Sequence, residues 1–580
     1  MRLSFTSLVL SLAASATFAA DPADIVLHHG RIVTVDVQFK VVEAIAVKGD
    51  RVVAVGSNDD VRKLAGEKTK LIDLKGQMVL PGLSDTHTHP TGAAMHEFDH
   101  PIPDMQTIGD VLAYIRQRAA TVEPGDWISV RQVFVTRLRD QRFPSRKELD
   151  EAAPKNPVMF STGPDAALNS LALEASGLTK DFKITDGQPG FLEKDPQTGE
   201  LTGMLRSCTR LAKPKGKSKS ASKDEQRARL KELMTAYNAV GLTSISDRSA
   251  SDGAVDLFDE LKQRDELTCR VFLSYGINAQ DPIDQIEKRV KKATEHPAHA
   301  YDNRLWLRGV KIFLDGGMLT GSAYMRKPWG VSQIYSITDP EYRGVLFVEP
   351  DKLRQIAKVV LSNNLQMTAH SVGDGAVHAL IDAYEHVDKE LPVKKLRPCI
   401  THCNFMSLEA IQKMQKLGIV ADLQPAWLYL DGATLRKQFG EERTAYFQPY
   451  KTIFEHGVVV GGGSDHMQKL GSLRSINPYN PWLGIWTTLT RLPRWTDQPL
   501  HSEQSISREQ AIRLYTTNNA FLTFEEKEKG SLEAGKLADF VVIDRDILTC
   551  PVDDIRDVNV RQTWMGGRLV YEDGKTEAVK

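Results

Sequence analysis

The chain has 580 residues, 41% of them hydrophobic and 26% charged, with 74 basic side chains against 75 acidic ones. This is the composition of a globular protein. A net charge of −1 excludes the one-sided Lys and Arg surplus that nucleic acid or an anionic membrane surface requires. Five scattered cysteines, Cys208, Cys269, Cys399, Cys403 and Cys550, give no disulfide framework, and Cys399 and Cys403 read as buried thiols in an apolar run.

The first residues place Arg2 before an apolar run from Leu3 to Ala16, followed by small residues up to Ala20. The run is too short for a bilayer core of about 30 Å and has the form of a secretory signal peptide. The expectation is an exported protein, periplasmic or secreted. Its mature chain starts near Asp21 and has no integral membrane segment.

Short alternating strands and tight turns fill Ile25 to Leu80, and the same style returns in LADFVVID (from Leu537) and RQTWMGGRLVYE (from Arg561). Neither end has enough strands for a sheet of its own, so residues 21–77 and 525–580 are expected to form one composite β-sandwich. Between them, strand-like runs alternate with helical patterns. They are MVLPGLSDTHTH (from Met78), LTSIS, RVFLSY, LRGVKIFL, LQMTAH, RPCITH, GIVADLQ and GVVVGGGSD. Helix punctuation agrees, with Ser407 as an N-cap and Gly418 as a stop. Eight strands with crossover helices predict an α/β fold, a (β/α)8 TIM-like barrel over 78–524. The link from Pro90 to Val240 is far too long for one crossover and reads as an inserted subdomain over about 91–240. Its basic, Ser-rich stretch LAKPKGKSKSASKDEQ reads as a solvated loop.

The first barrel strand ends in Asp85-Thr86-His87-Thr88-His89, where residues two apart share a side. Other strands end in His370, His402 and Asp465, at the barrel face where active sites lie. Four imidazoles and a carboxylate suit zinc or a similar divalent first-row metal. Lys311 lies on the fourth strand, and either a salt bridge to Asp315 or a neutral amine open to carbon dioxide would account for it there.

With VLPGLSDTHTHP, GVKIFLDGG, AHSVGDGA, THCNF, LQPAW, GGSDH, TNNA and GSLEAGKLADFVVIDRD in this order, the chain resembles the amidohydrolase superfamily. Within it, the resemblance is to amidohydrolase family 3, the branch that includes N-substituted formamide deformylases. The resemblance implies one or two metal ions, with His87 and His89 on the more buried ion and His370 and His402 on a second. It also implies Lys311 as an N6-carboxylysine bridge, and Asp465 as both ligand and general base. The reaction so implied is hydrolysis of a C–N bond, in an amide or an N-formyl or N-acyl group, by a metal-activated hydroxide. A lactonase, esterase or deaminase would use the same machinery, and an exported metal-containing binding or sensor protein is the non-enzyme reading. The chain departs from the family at Gly163-Pro164-Asp165 and at Ser207, in the insert where specificity would lie.

Trp329 and Trp427 are candidate substrate contacts for a small molecule, beside the ordinary role of core packing; Trp482 and Trp486 read the same way. His466 is expected at the surface. His96-Glu97-Phe98-Asp99-His100 matches a metalloprotease signature, but Pro101 follows at once, so coincidence is the expected reading. The sequence leaves a homo-oligomer open.

Overall fold

The computed structural model describes residues 21–574 apart from 132, 164, 187–189 and 216–218. The expected signal peptide, Pro164 and part of the basic loop therefore lie outside the described residues. The centre of the chain is an eight-stranded parallel barrel: β1 (Leu83–Thr88), β2 (Leu242–Ala250), β3 (Arg270–Gly276), β4 (Leu305–Phe313), β5 (Gln366–Ser371), β6 (Cys399–His402), β7 (Val420–Leu423) and β8 (Val460–Gly462). Each strand pairs in parallel with the next in chain order. Helices between them turn apolar stripes onto the strands. In Leu408–Leu417, for example, Ala410, Ile411, Met414 and Leu417 are buried, Ser407 caps the start through the Ala410 amide, and Gly418 ends it at φ 67°.

The gap between β8 and β1 is bridged by the TNNA segment. Asn519 accepts the Gly462 amide at 3.0 Å and donates to the carbonyls of Gly462 at 2.9 Å and Ser84 at 2.5 Å. Gly461 is required there, because a Cβ would sit 2.4 Å from the Asn519 Oδ1.

Met78–Pro81, read from the sequence as the start of the first barrel strand, belongs elsewhere. It pairs antiparallel with Phe540–Ile543 in a six-stranded sheet that mixes both chain ends. The apolar run is continuous, but Gly82 interrupts it at a close approach to Thr243, leaving no room for a side chain. This sheet and a four-stranded one (Ala23–His28, Ala44–Lys48, Arg51–Gly56, Ala65–Asp73) share a core of Leu27, Ile45, Val47, Val79, Phe540 and Trp564, which makes the β-sandwich. The link between β1 and β2 carries its own five-stranded sheet and its own core. Among the described residues no helix is long and apolar enough to cross a membrane. Cys208, Cys269, Cys399 and Cys403 are buried free thiols.

Candidate metal centre

At the C-terminal ends of the barrel strands, His87 Nε2 lies 3.3 Å and His89 Nε2 3.1 Å from Asp465 Oδ1. Ligand atoms of these three residues all fall within 4.8 Å of one another. The pleat puts both histidines on the inner side, and the segment after β8 brings the carboxylate to them. Asp465 has φ 58°, a left-handed conformation uncommon for a non-glycine residue, and its amide donates to the His87 carbonyl at 2.7 Å. Gly463 lets the chain pass, since a Cβ there would lie 2.9 Å from both the amide nitrogen and the Cβ of His87.

His402, also left-handed at φ 75°, stacks on His87 with ring centroids 4.9 Å apart and meets His370 edge-on at 4.5 Å. Its Nδ1 donates to Gln424 Oε1 at 2.7 Å, leaving Nε2 as the free lone pair. His370 Nε2 faces the Gly316 carbonyl at 3.2 Å, which leaves Nδ1 free on that ring. Burial holds His87 and His402 well below the usual histidine range and His370 down to about 3, so all three are neutral, the form that binds metal.

Lys311 on β4 is 1% exposed, and its Nζ makes no hydrogen bond. Burial pushes it down to about 8. The expected salt bridge to Asp315 does not form, because the Asp315 carboxylate accepts the amides of Tyr324, Val372 and Gly373 instead, each at 2.9 Å. His87 Nε2 is likewise buried without a hydrogen bond. The orphaned His87 nitrogen, among neutral imidazoles and beside a carboxylate, fits a metal centre: a cation would take up the lone pair that no proton donor reaches.

Residues that the strand-end reading passed over complete the site. Asp422, at the end of β7, lies 3.4 Å from His87 Nδ1, accepts Thr86 Oγ1 at 2.8 Å and is raised to about 6 by burial. Asn477 donates to Asp465 Oδ2 at 3.0 Å, and its own Oδ1 accepts from Arg137 Nη1 at 2.9 Å and Trp427 Nε1 at 3.0 Å. Arg137, reaching in from the insert, is in turn paired with buried Asp431 at 2.6 Å.

The two candidate tryptophans separate. Trp427 stacks on His402, with centroids 4.8 Å apart and planes 14° from parallel. Trp329 is buried against Tyr335 and Phe439 and donates to the Ala323 carbonyl, so it packs the core of the loops. Trp482 and Trp486 are buried as well. His466 is fully buried, contrary to the surface placement, with Nδ1 2.8 Å from the Tyr237 hydroxyl and Nε2 facing the carbonyls of Gln468 and Lys469. The helix Pro90–Met95 stops before Glu97, which pairs with Arg474 at 3.0 Å, so His96 and His100 do not share a helix face. In the insert, Asp165 accepts the Ser207 amide at 2.8 Å and meets Arg206 at 3.3 Å. A cavity of about 450 Å³ lies beside this network, between His96, Arg137, Leu138, Tyr429, Arg494 and Trp495, and His87, His89, His370 and His402 do not line it.

The amidohydrolase family model matches residues 70–571. An N-substituted formamide deformylase of Arthrobacter pascens is 27% identical over 560 residues, 95% of this chain and 98% of that protein. Among solved structures, an uncharacterized metal-dependent hydrolase of Pyrococcus furiosus superposes with a TM-score of 0.64 at 21% identity, covering 90% of this chain and all of that one. A zinc-complexed atrazine chlorohydrolase of Arthrobacter aurescens gives 0.52 at 14% identity, over 95% of both chains.

Proposed function

The chain belongs to the amidohydrolase family, metal-dependent hydrolases of carbon–nitrogen bonds other than peptide bonds, and on that premise we propose that it cleaves a small N-acyl or N-formyl amide at the barrel mouth. The reading rests on one observation: the ligand atoms of His87, His89 and Asp465 converge beside neutral His370 and His402 and the buried Lys311, whose Nζ makes no hydrogen bond. A divalent ion held there, most simply zinc, would polarise the substrate carbonyl and make water a nucleophile near neutral pH.

The chain's own residues do the rest. Gln424 fixes the tautomer of His402, and Asp422 faces His87 Nδ1, so both rings present Nε2 to the site. Asp465 turns Oδ1 to the imidazoles, while Asn477 holds Oδ2. The remaining lone pair of Oδ2 is the acceptor for the water proton and the donor site for its delivery to the leaving nitrogen. Trp427 covers His402 and keeps water from that flank. Lys311, with its amine made partly neutral by burial, is the group that would take up carbon dioxide as an anionic carbamate, releasing one proton. As a carbamate it would offer oxygen ligands to metal held at this site. The deformylase relative favours N-formyl substrates, and the export reading places the enzyme outside the cytoplasm.

Metal analysis of the purified protein, coupled to a panel of formamides, N-acyl amides and lactones assayed before and after chelation, tests the proposal. Chelator-sensitive turnover of an amide supports it. A metal-loaded chain that turns over lactones but no amide would move the reading to a lactonase.

A further inference from the structure

We propose that His28, His29 and Asp73 form a second divalent-metal site, outside the barrel and on the β-sandwich, for an ion that prefers imidazole, such as Zn, Co or Ni. His28 Nδ1 and His29 Nδ1 are 3.1 Å apart, and His29 Nδ1 is 3.3 Å from Asp73 Oδ1. Two donors about 2.0–2.1 Å from a tetrahedral zinc ion stand about 3.3–3.4 Å apart, so these spacings are those of a ligand set. The barrel mouth of the same chain shows the same pair of distances, 3.1 and 3.3 Å, between its imidazoles and Asp465.

Hydrogen bonding alone leaves this cluster frustrated. In the plane of its ring, His29 Nδ1 has one proton or one lone pair. If it donates to Asp73, it has nothing to offer His28. If it accepts from His28, it turns a lone pair toward a carboxylate. A cation among the three donors satisfies all of them.

The backbone builds the site for this arrangement. Adjacent residues of a strand point to opposite faces, yet His29 leaves the strand at φ 53°, and the two rings meet with centroids 4.4 Å apart. The His29 amide donates to Asn58 Oδ1 at 2.7 Å, the His28 carbonyl accepts Leu74 at 2.9 Å, and the His29 carbonyl accepts Gly76 at 2.7 Å. Asp73 stands in register opposite His28 on the neighbouring parallel strand. Gly30 closes the turn against Leu74, where a Cβ would lie 2.3 Å from Leu74 Cδ1. His28 is buried, while the side chains of His29 and Asp73 are 49% and 48% exposed, so an ion can enter from solvent and keep open positions. Two imidazoles with a single carboxylate are a poor set for Ca or Mg, which take oxygen ligands.

Zn2+ titration calorimetry on the untagged full chain tests the proposal, comparing wild type with His29→Ala and Asp73→Asn. Wild type should bind one more Zn2+ than His29→Ala, and Asp73→Asn should bind it at least tenfold more weakly, with amide hydrolysis unchanged in both. Equal stoichiometry and affinity in all three proteins would overturn it. A second measurement needs no variant: Zn2+ should protect His29 of the wild type from diethyl pyrocarbonate, read by peptide mass spectrometry. Equal labelling with and without millimolar Zn2+ would overturn the site as well. Protection of His29 by Zn2+ in a protein that turns over no amide would leave this site standing while the proposed function fails.

Discussion

Lys311 offers a measurement in which metal and substrate are set aside. In the chelator-stripped protein its amine is buried, makes no hydrogen bond and is pushed down from the usual 10.5 to about 8. Between those values the unfolded chain carries a proton that the folded chain has shed, so stability rises with pH across that window. Below about 8 both states are charged, and the folded state bears the full cost of a buried ammonium. At about 1.36 kcal/mol for each tenfold shift in acidity, the interval corresponds to a penalty of about 3 kcal/mol. Lys311→Met keeps an unbranched side chain one atom shorter and removes the charge. Urea melts of both apo proteins should show the variant more stable by about 3 kcal/mol at pH 7, with the gap closing as pH approaches 10.5. Parallel stability curves, or a wild type more stable at pH 7, would refute the description of Lys311 as desolvated and without a hydrogen bond.

Two further outcomes follow from the geometry and a third from the sequence. Asn477→Ala strips a donor from Asp465 Oδ2 and an acceptor from Arg137 and Trp427, at about 1–3 kcal/mol for each buried group left unmatched. It should lower kcat roughly 10- to 100-fold with little change in KM or metal content, and an unchanged kcat would remove Asn477 from the positioning of Asp465. Gly463→Ala forces a Cβ to within 2.9 Å of the backbone and Cβ of His87, so metal content measured by mass spectrometry should fall while the fold, read by circular dichroism, persists. N-terminal sequencing of protein recovered from an exporting host should begin near Ala20 or Asp21; a chain beginning at Met1 or Arg2 would refute the export reading.

The imidazoles were legible in the sequence because two rules reinforce one another there. Residues two apart on a strand share a side, and a parallel barrel gathers its strand ends at one mouth, so His87, His89, His370, His402 and Asp465 could be named without coordinates. What escaped depends on contacts between segments far apart in the chain. Asp422 and Gln424 lie in a strand end that reads as ordinary apolar sequence, and their facing of His87 and His402 comes from the barrel closing on itself. His466 sits in a stretch with loop character, where exposure is the natural expectation; Tyr237, from the helix preceding β2, reaches it and buries it. Met78–Pro81 merged with β1 because hydropathy does not register that a chain changes sheets at a glycine.

Asn477 and Arg137 show why the insert cannot be treated as a specificity module laid over a finished catalytic barrel. Arg137 is held by Asp431 at one end and grips Asn477 at the other, and Asn477 orients the carboxylate assigned as the base. This buried ion pair is therefore structural for the insert and positional for the reaction at once. Removing either partner leaves a buried charge uncompensated, at a cost of about 3–5 kcal/mol. The neutral pair Arg137→Met with Asp431→Leu avoids that cost while still releasing Asn477 from Arg137. If the double variant folds as well as wild type but loses kcat, as is expected of Asn477→Ala, the insert acts on the chemistry through Asn477; if kcat is kept, the contact serves folding alone.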